Sequence, residues 1–158
     1  MRVRPLTNEE IPEIVLEMLV NRFKGRENPA AYRILARNPV LLMKFAEFRD
    51  EMMMNGKLDS ILKEKIAIKV STVNECNPCY VSHKMKLEIS GRSENAKDEK
   101  ERAALRFAEL AAMNRGKVSD EMFAELFKHF SEEEMLEITL VISLYMFLNT
   151  FNSLLVDV

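Results

Sequence analysis

Two cysteines and a histidine within eight consecutive residues have the types and spacing of a redox site. The thiols lie three positions apart in Cys76-Asn77-Pro78-Cys79, a spacing typical of dithiol or metal chemistry. The turn at Asn77-Pro78 can bring the sulfur of Cys76 within disulfide range of Cys79. His83 follows Cys79 by four residues, so on a helix the two side chains meet one turn apart. The spacing predicts a thiol paired with a base, and a second thiol that can resolve it.

The helix that begins at the cysteine pair favours Cys79 over Cys76 as the reactive thiol. If Pro78 is the first helical residue, Cys79 lies in the first turn, where unpaired N–H groups and the positive end of the helix dipole favour a thiolate. An ordinary thiol, with a pKa of about 8.5, is only a few per cent ionised at neutral pH. We predict that the pKa of Cys79 is lowered and that the pKa of Cys76 is nearly ordinary.

Glu64 is the candidate for a carboxylate that orients His83. It lies three helical turns ahead of Cys76 and cannot reach it along one straight helix. If the two helices form an antiparallel pair, Glu64 returns beside His83, where a carboxylate could hold the imidazole and accept its proton. On periodicity alone, a solvated helix carboxylate is the other interpretation. The neighbouring acids Glu75 and Glu88 have no comparable placement.

Two further interpretations of the cysteines are half of a zinc site and a pair of inert core residues. A zinc site needs more ligands, but there is no second CxxC, and the other histidine, His129, is distant in sequence. Inert core cysteines rarely show this spacing beside a histidine. We therefore predict a redox pair with no bound metal and no cofactor.

Cysteine usage and the first residues of the chain indicate the compartment. Two cysteines in 158 residues are too few for the disulfide framework that stabilises many secreted proteins. Residues 1–10 lack the apolar stretch of a secretory signal. A reducing cytoplasm is the expected location.

Start and stop signals predict eight helices that would position these residues. The first helix runs from about Pro12 to Lys24 and is followed by Gly25, which ends it. The second begins with Asn28 as its N-cap and Pro29 as its first residue, and the third begins in the same way at Asn38-Pro39 and runs to about Met54, ahead of Gly56. The fourth runs from Asp59 or Ser60 to about Val73. The last four run from Asn77-Pro78 to Gly91, from Glu99 to Met113, from a Ser119 cap to about Phe130, and from a capping box of Ser131 and Glu134 onwards.

Composition agrees with an all-α protein of one domain. Apolar residues make up 47% and charged residues 30% of the 158, enough to bury one core. Four glycines and five prolines are too few for the tight turns of a sandwich or barrel, and no alternating strand pattern or repeat is visible. Lys plus Arg number 23 against 25 for Asp plus Glu, so we expect no nucleic-acid partner.

The last helix indicates self-association. Residues 138–156 carry no charge, but polar side chains within them and acidic flanks favour a buried helix over a membrane span. The helix is apolar all round, with one stripe of Leu136, Leu140, Leu144, Phe147, Phe151 and Leu154 and another of Ile138, Val141, Ile142, Tyr145 and Leu148. One small core cannot cover both stripes, which predicts a homo-oligomer and no membrane contact.

These residues together resemble the AhpD-like alkylhydroperoxidases of the carboxymuconolactone decarboxylase superfamily. Eleven residues separate Glu64 from Cys76, two separate the cysteines, and three separate Cys79 from His83, which is a specific signature. The similarity covers about the C-terminal two thirds of the chain. Its other matching stretches are Glu64-Lys65-Ile66-Ala67-Ile68-Lys69-Val70, Arg102-Ala103-Ala104-Leu105-Arg106-Phe107-Ala108 and the last helix.

The resemblance implies a fold, a reaction and a role for each site residue. The fold would be all-helical and would assemble into dimers, trimers or hexamers. Cys79 would attack a hydroperoxide, Cys76 would resolve the product, and His83 with Glu64 would relay protons. The reductant would be a thioredoxin-like or lipoyl-bearing protein. The chain differs from some members at Pro78, where they carry a histidine, and at Asn152-Ser153, where Asn-Arg is common.

Two other functions remain open at this stage. A general thiol–disulfide oxidoreductase would use the same pair with a protein disulfide as its natural oxidant. A non-enzymatic oligomeric redox sensor would use the disulfide to change a partner surface. The retained cysteine pair argues against the decarboxylase branch of the superfamily, which needs none.

Overall fold

The computed structural model describes residues 2–24 and 29–156, and within them it contains eight α-helices and no β-strand. The helices are α1 (Glu13–Phe23), α2 (Ala30–Leu35), α3 (Pro39–Met54), α4 (Ser60–Val73), α5 (Asn77–Ile89), α6 (Glu99–Met113), α7 (Asp120–Phe127) and α8 (Glu132–Leu155). The predicted all-α class is confirmed.

Side-chain caps explain why several helices begin where the sequence predicts. The Asp59 carboxylate accepts from the backbone N–H of Leu62 at the start of α4. Ser131 and Glu134 form the predicted capping box at the start of α8, each side chain accepting from the other residue's N–H. Asn38 accepts from the third residue of α3. Local side-chain chemistry therefore fixes these three boundaries.

Two predicted starts are one residue off. The N-cap of α5 is Cys76, whose carbonyl accepts from the N–H of Tyr80 at 2.9 Å, so Asn77 and Pro78 are the first two helical residues. Pro29 is likewise the N-cap of α2 and not its first residue. An asparagine followed by a proline predicts that the asparagine carbonyl accepts the first helical hydrogen bond. In both helices a neighbouring residue's carbonyl accepts it instead.

Two predicted ends are also displaced, and one cannot be compared. Helix α5 ends at Ile89, ahead of the predicted Gly91, which takes a left-handed conformation with φ +68°. Helix α7 ends at Phe127, ahead of the predicted Phe130, because the N–H of His129 bonds three residues back, which tightens the turn. Gly25 and Asn28 lie outside the described residues.

The chain divides into two compact units, residues 2–49 with 151–156, and residues 50–150. The first unit contains α1, α2 and most of α3 around an apolar core of Leu6, Ile11, Val15, Leu19, Tyr32, Ala36 and Leu42. The second unit contains α4 to α7 and most of α8, and it holds all four predicted site residues. A single domain over the whole chain stays a prediction.

Helix α4 is the central element of the second unit. It packs against both α5 and α6, and α6 in turn packs against α7. Ile66, Ala67 and Val70 of α4 are fully buried, as is the small side chain of Ala108 on α6. Small residues allow helices to approach closely, and burial on several faces holds α4 rigidly.

A buried lysine joins the start of the second unit to α8. The side chain of Lys63 is 1% exposed, and its ammonium lies 2.7 Å from the carboxylate of Glu137. It also donates to the backbone carbonyls of Met52 and Asn55. The Glu137 carboxylate accepts from the N–H groups of residues 57–58 as well. One carboxylate therefore holds the turn before α4 and neutralises the buried charge.

Helix α8 is long and apolar enough to span a bilayer by length and composition, and 44% of its most apolar 18-residue window is buried in the protein. The stripe that contains Ile138, Val141 and Tyr145 is buried. On the other side Leu136 and Phe147 are 60% and 50% exposed. The homo-oligomer and the absence of membrane contact stay predictions.

Candidate active site

The turn between α4 and α5 places the first cysteine. Helix α4 ends in a Schellman motif, in which the N–H of Cys76 bonds to the carbonyl of Ser71 at 2.9 Å and the N–H of Glu75 bonds to Thr72 at 3.2 Å. Glu75 takes the left-handed conformation, with φ +55°. Cys76 therefore closes α4 and caps α5, and the chain reverses within three residues.

The reversal makes α4 and α5 an antiparallel pair, as the sequence predicts. Glu64, three turns back on α4, meets His83 on α5, and the imidazole Nδ1 contacts carboxylate Oε2. This contact is the one that periodicity alone left undecided. The structure brings His83 into contact with Glu64 and joins Cys76 to Cys79, and His83 follows Cys79 by one turn of α5.

Cys76 and Cys79 are joined by a disulfide, with Cα atoms 5.4 Å apart. Cys79 is the third residue of α5 and so lies in its first turn, with His83 one turn further along. Cys76 is fully buried, whereas Cys79 retains 8% exposure. Cys79 is therefore the more exposed of the two residues, although both are buried.

Glu64 is a partly buried carboxylate, with its side chain 15% exposed, held by two basic groups. Burial raises its pKa, but the hydrogen bond and charge of His83 and the ammonium of Lys86, 3.0 Å from Oε1, outweigh burial and lower the pKa to about 2. Glu64 is therefore ionised at neutral pH. Lys86 was not singled out from the sequence, although it follows His83 by three residues and shares its helix face.

The ionised carboxylate determines how His83 is used. A carboxylate without a proton can only accept, so Nδ1 of His83 carries the hydrogen that it donates to Glu64. The other ring nitrogen, Nε2, is then the one that can take a proton from a thiol. The arrangement is chemically a thiol, a base and a group that orients the base.

Helix α8 supports the site from a distant part of the sequence. The ring of Tyr145, 1% exposed, meets the imidazole of His83 edge to face with centroids 4.6 Å apart. One turn later, buried Asn149 accepts from the Ser71 hydroxyl at 3.3 Å, and the carbonyl of Ser71 receives the N–H of Cys76. Sequence reasoning grouped Tyr145 with an apolar stripe and missed both contacts.

Within residues 2–24 and 29–156 no group of three or more His, Cys, Asp or Glu side chains is placed to hold a metal ion. The Cys76–Cys79 pair has His83 beside it, but both sulfurs are engaged in the disulfide.

No protein-family model matches the sequence, and no curated protein matches it either. Solved structures do match the fold. A variant of the debrominase Bmp8 in complex with 2,3,4-tribromopyrrole has a TM-score of 0.82 and 23% identity, over 97% of this chain and 88% of that one.

Two bacterial proteins show a similar likeness. An uncharacterized peroxidase-related protein from Silicibacter sp. TM1040 has a TM-score of 0.80 and 21% identity, over 90% of this chain and 83% of that chain. A peroxidase-related protein from Ralstonia eutropha JMP134, described as an alkylhydroperoxidase AhpD core, has a TM-score of 0.80 and 21% identity, over 96% and 88% of the two chains. The predicted AhpD-like fold is confirmed.

Proposed function

We propose that this protein is a thiol-dependent peroxidase that reduces organic hydroperoxides through Cys76 and Cys79. The observation that supports this most is the cysteine pair at the start of α5, with the His83–Glu64 contact one turn behind it. The fold shared with structures described as peroxidase-related agrees with it. Similarity of fold alone would not favour one reaction over another, so the site carries the proposal.

The first step is attack by Cys79 on the peroxide. Nε2 of His83 takes the thiol proton, and the thiolate attacks one peroxide oxygen, so that an S–O bond forms and the O–O bond breaks. The alkoxide that leaves takes the proton from the imidazolium. The products are an alcohol and a sulfenic acid on Cys79. Glu64 stabilises the charge on His83 while the proton is held there.

The second step is closure of the disulfide. The sulfur of Cys76 attacks the sulfur of Cys79, an S–S bond forms, the S–O bond breaks, and water leaves. Two thiols have then supplied two electrons to one hydroperoxide. The Cα separation of 5.4 Å in the disulfide lies within the ordinary range.

The cycle is completed by an external dithiol, for which we propose a thioredoxin-like or lipoyl-bearing protein. Its thiolate attacks the sulfur of Cys79, because Cys76 is fully buried and Cys79 is not. Dithiol proteins are kept reduced in a reducing compartment, so this reductant agrees with the proposed cytoplasmic location.

Thiol stoichiometry tests the cycle directly. One equivalent of cumene hydroperoxide, added to reduced protein without a reductant, should remove two thiols per chain and lower the monomer mass by two hydrogens. Cys76→Ser should stop at an oxygen adduct on Cys79. A ladder of cross-linked subunits with no intramolecular disulfide would contradict the proposal.

Reductive removal of bromine is a second candidate, favoured by the likeness to the debrominase structure. The same dithiol would replace a carbon–bromine bond by carbon–hydrogen, releasing hydrogen bromide and forming the disulfide. Bromide release from 2,3,4-tribromopyrrole, compared with peroxide consumption under the same conditions, separates the two reactions.

The two other candidates are a general thiol–disulfide oxidoreductase and a redox sensor. The oxidoreductase would turn over a protein disulfide faster than a hydroperoxide. The sensor would be oxidised once without turnover by any reductant. Steady-state assays with both oxidants distinguish all three.

A further inference from the structure

The Glu64 carboxylate has two basic partners, one on each oxygen. Oε2 contacts Nδ1 of His83, and Oε1 accepts from the ammonium of Lys86 at 3.0 Å. Both partners lie on α5, three residues apart, so they share one face of that helix. The proposed peroxidase mechanism uses the contact with His83 and gives Lys86 no role.

The two partners differ in how far they reach solvent. The side chain of His83 is 5% exposed, whereas that of Lys86 is 40% exposed. Lys86 is thus the outer partner of the carboxylate, and His83 is the inner one. An ammonium that holds one oxygen restricts rotation of the carboxylate, so the other oxygen stays directed at the imidazole.

The charge of Lys86 also acts on the proton of His83. The carboxylate stays ionised while an imidazole titrates, because burial, which raises the pKa of Glu64, is outweighed by His83 and Lys86, which lower it to about 2. A carboxylate alone favours a protonated imidazole, since opposite charges stabilise each other. The ammonium of Lys86 opposes this effect, because it places a like charge on the other oxygen of the same carboxylate.

Side chains from three helices surround the imidazole of His83. Helix α8 contributes Tyr145, and a tyrosine hydroxyl is uncharged near neutral pH. On α5, Cys79 is held in the disulfide and does not titrate in the oxidised protein. Helix α4 contributes the charge of Glu64, and Lys86 is the cation that shares this carboxylate with His83.

We propose that Lys86 is a positioning residue of this site, which fixes the Glu64 carboxylate and limits how tightly His83 holds a proton. In the peroxidase proposed above, the imidazole first takes the proton of Cys79 and then releases it to the leaving alkoxide. A base that binds a proton too tightly is already protonated at neutral pH and cannot take the first one. This role rests on the proposed function, but the effect of Lys86 on His83 is measurable without turnover.

Nuclear magnetic resonance of the oxidised protein measures that effect. The chain has two histidines, so the imidazole signals of His83 and His129 can be followed separately as the pH is changed. Lys86→Met should raise the midpoint of the His83 titration by about 0.5 pH unit or more, because a like charge is removed, and should leave His129 unmoved. Lys86→Arg, which keeps the charge, should stay close to the parent midpoint. An unchanged or lower His83 midpoint in Lys86→Met would overturn the proposal.

Lys84→Met is the matched control. Lys84 lies on the same helix and its side chain is also 40% exposed, but its ammonium lies 3.8 Å from Glu94. This variant should leave the His83 midpoint within about 0.2 pH unit, because solvent screens an exposed charge that shares no carboxylate with the imidazole. A shift as large as that of Lys86→Met would show a general effect of helix charge and would overturn the specific role of Lys86.

The pH profile of turnover tests the role of Lys86 in the reaction. The acid limb of kcat/KM for cumene hydroperoxide should move to higher pH in Lys86→Met, because protonated His83 cannot accept the thiol proton, and Lys86→Arg should restore it. A rate that falls equally at every pH would indicate a merely structural role and would overturn the proposal. A raised His83 midpoint in a protein that turns over no peroxide would support the effect of Lys86 on His83 and refute the peroxidase.

Discussion

At the residue scale, the site depends on a carboxylate that stays ionised although it is largely buried. His83 and Lys86 lower the pKa of Glu64 to about 2. An imidazole that donates Nδ1–H to this carboxylate is held in one tautomer and one orientation. In the proposed mechanism, this imidazole is the acceptor for the proton of Cys79, which lies one helical turn away on the same helix.

The first residue-scale prediction concerns thiol ionisation. The pKa of Cys79 should be lowered, because this thiol has both a helix N-terminus and His83, whereas the pKa of Cys76, at the N-cap, should be nearly ordinary. Thiolate absorbance is titrated in reduced Cys76→Ser and Cys79→Ser variants. If the variant that keeps only Cys79 ionises like free cysteine, the assignment of roles is wrong.

The second residue-scale prediction separates proton transfer from folding. Glu64→Gln and His83→Gln should slow peroxide reduction by on the order of 10²-fold or more, the usual contribution of general acid–base help. Both variants should remain folded, since a glutamine can still make one hydrogen bond at either position. Glu88→Gln, an exposed carboxylate of the same α5 helix, should be neutral.

Thermal melting of each variant provides the control. A large fall in melting temperature with the rate per folded molecule preserved would remove both Glu64 and His83 from the mechanism.

At the element scale, local chemistry accounts for the boundaries that the sequence predicted. The side chain of Asp59 and the capping box of Ser131 and Glu134 accept hydrogen bonds from N–H groups within four residues. These helix starts can therefore be predicted from the local sequence without knowledge of the tertiary structure. The end of α4 is different. Its left-handed residue is Glu75 where glycine is usual, so the Schellman motif had no sequence signature, and the start of α5 was predicted one residue late.

The site itself was predictable only in part, because some of its contacts join residues that are distant in sequence. The Cys76, Cys79 and His83 spacing is local to one helix and follows from sequence. Glu64 required the assumption that α4 and α5 are antiparallel, which the structure confirms. Tyr145 comes from α8, more than 60 residues after His83, and only tertiary packing brings the two rings together.

The element-scale prediction concerns the buried Lys63–Glu137 pair. Glu137→Gln should destabilise the protein by about 3 kcal/mol, because it leaves the ammonium of Lys63, whose side chain is 1% exposed, without its counter-charge. The same change at Glu133, also on α8, should destabilise the protein much less, because its pair with Lys57 is exposed to solvent and screened by it. Urea unfolding of both variants measures the difference. Equal losses would show that the buried pair has no special role.

At the scale of the whole molecule, α8 carries large apolar side chains that are exposed to solvent. Leu136 and Phe147 are 60% and 50% exposed, while the opposite stripe of the helix is buried. Composition and periodicity were sufficient to predict the all-α class, since period-2 strands need a pattern that the sequence lacks. They could not predict which stripe of α8 would be covered, because that depends on how the neighbouring helices pack.

The whole-molecule prediction is a homo-oligomer that uses the exposed apolar residues of α8, which are Leu136, Phe147 and Leu154. Light scattering should give a mass above that of one chain at micromolar concentration, and Phe147→Arg should lower it, since a charge in an apolar interface is costly. Met113→Arg, at an exposed position on α6, is the matched control and should leave the mass unchanged. A parent protein that stays monomeric on concentration would contradict the prediction.

Steady-state consumption of a hydroperoxide, coupled to a dithiol reductant, tests the proposed function most directly. The parent protein should turn over many equivalents of cumene hydroperoxide with at least one thioredoxin-like or lipoyl-bearing reductant. Cys79→Ser should lose this activity by at least about 10²-fold, and Cys76→Ser should react once and then stop. A parent protein that consumes peroxide no faster than Cys79→Ser with every reductant would contradict the account.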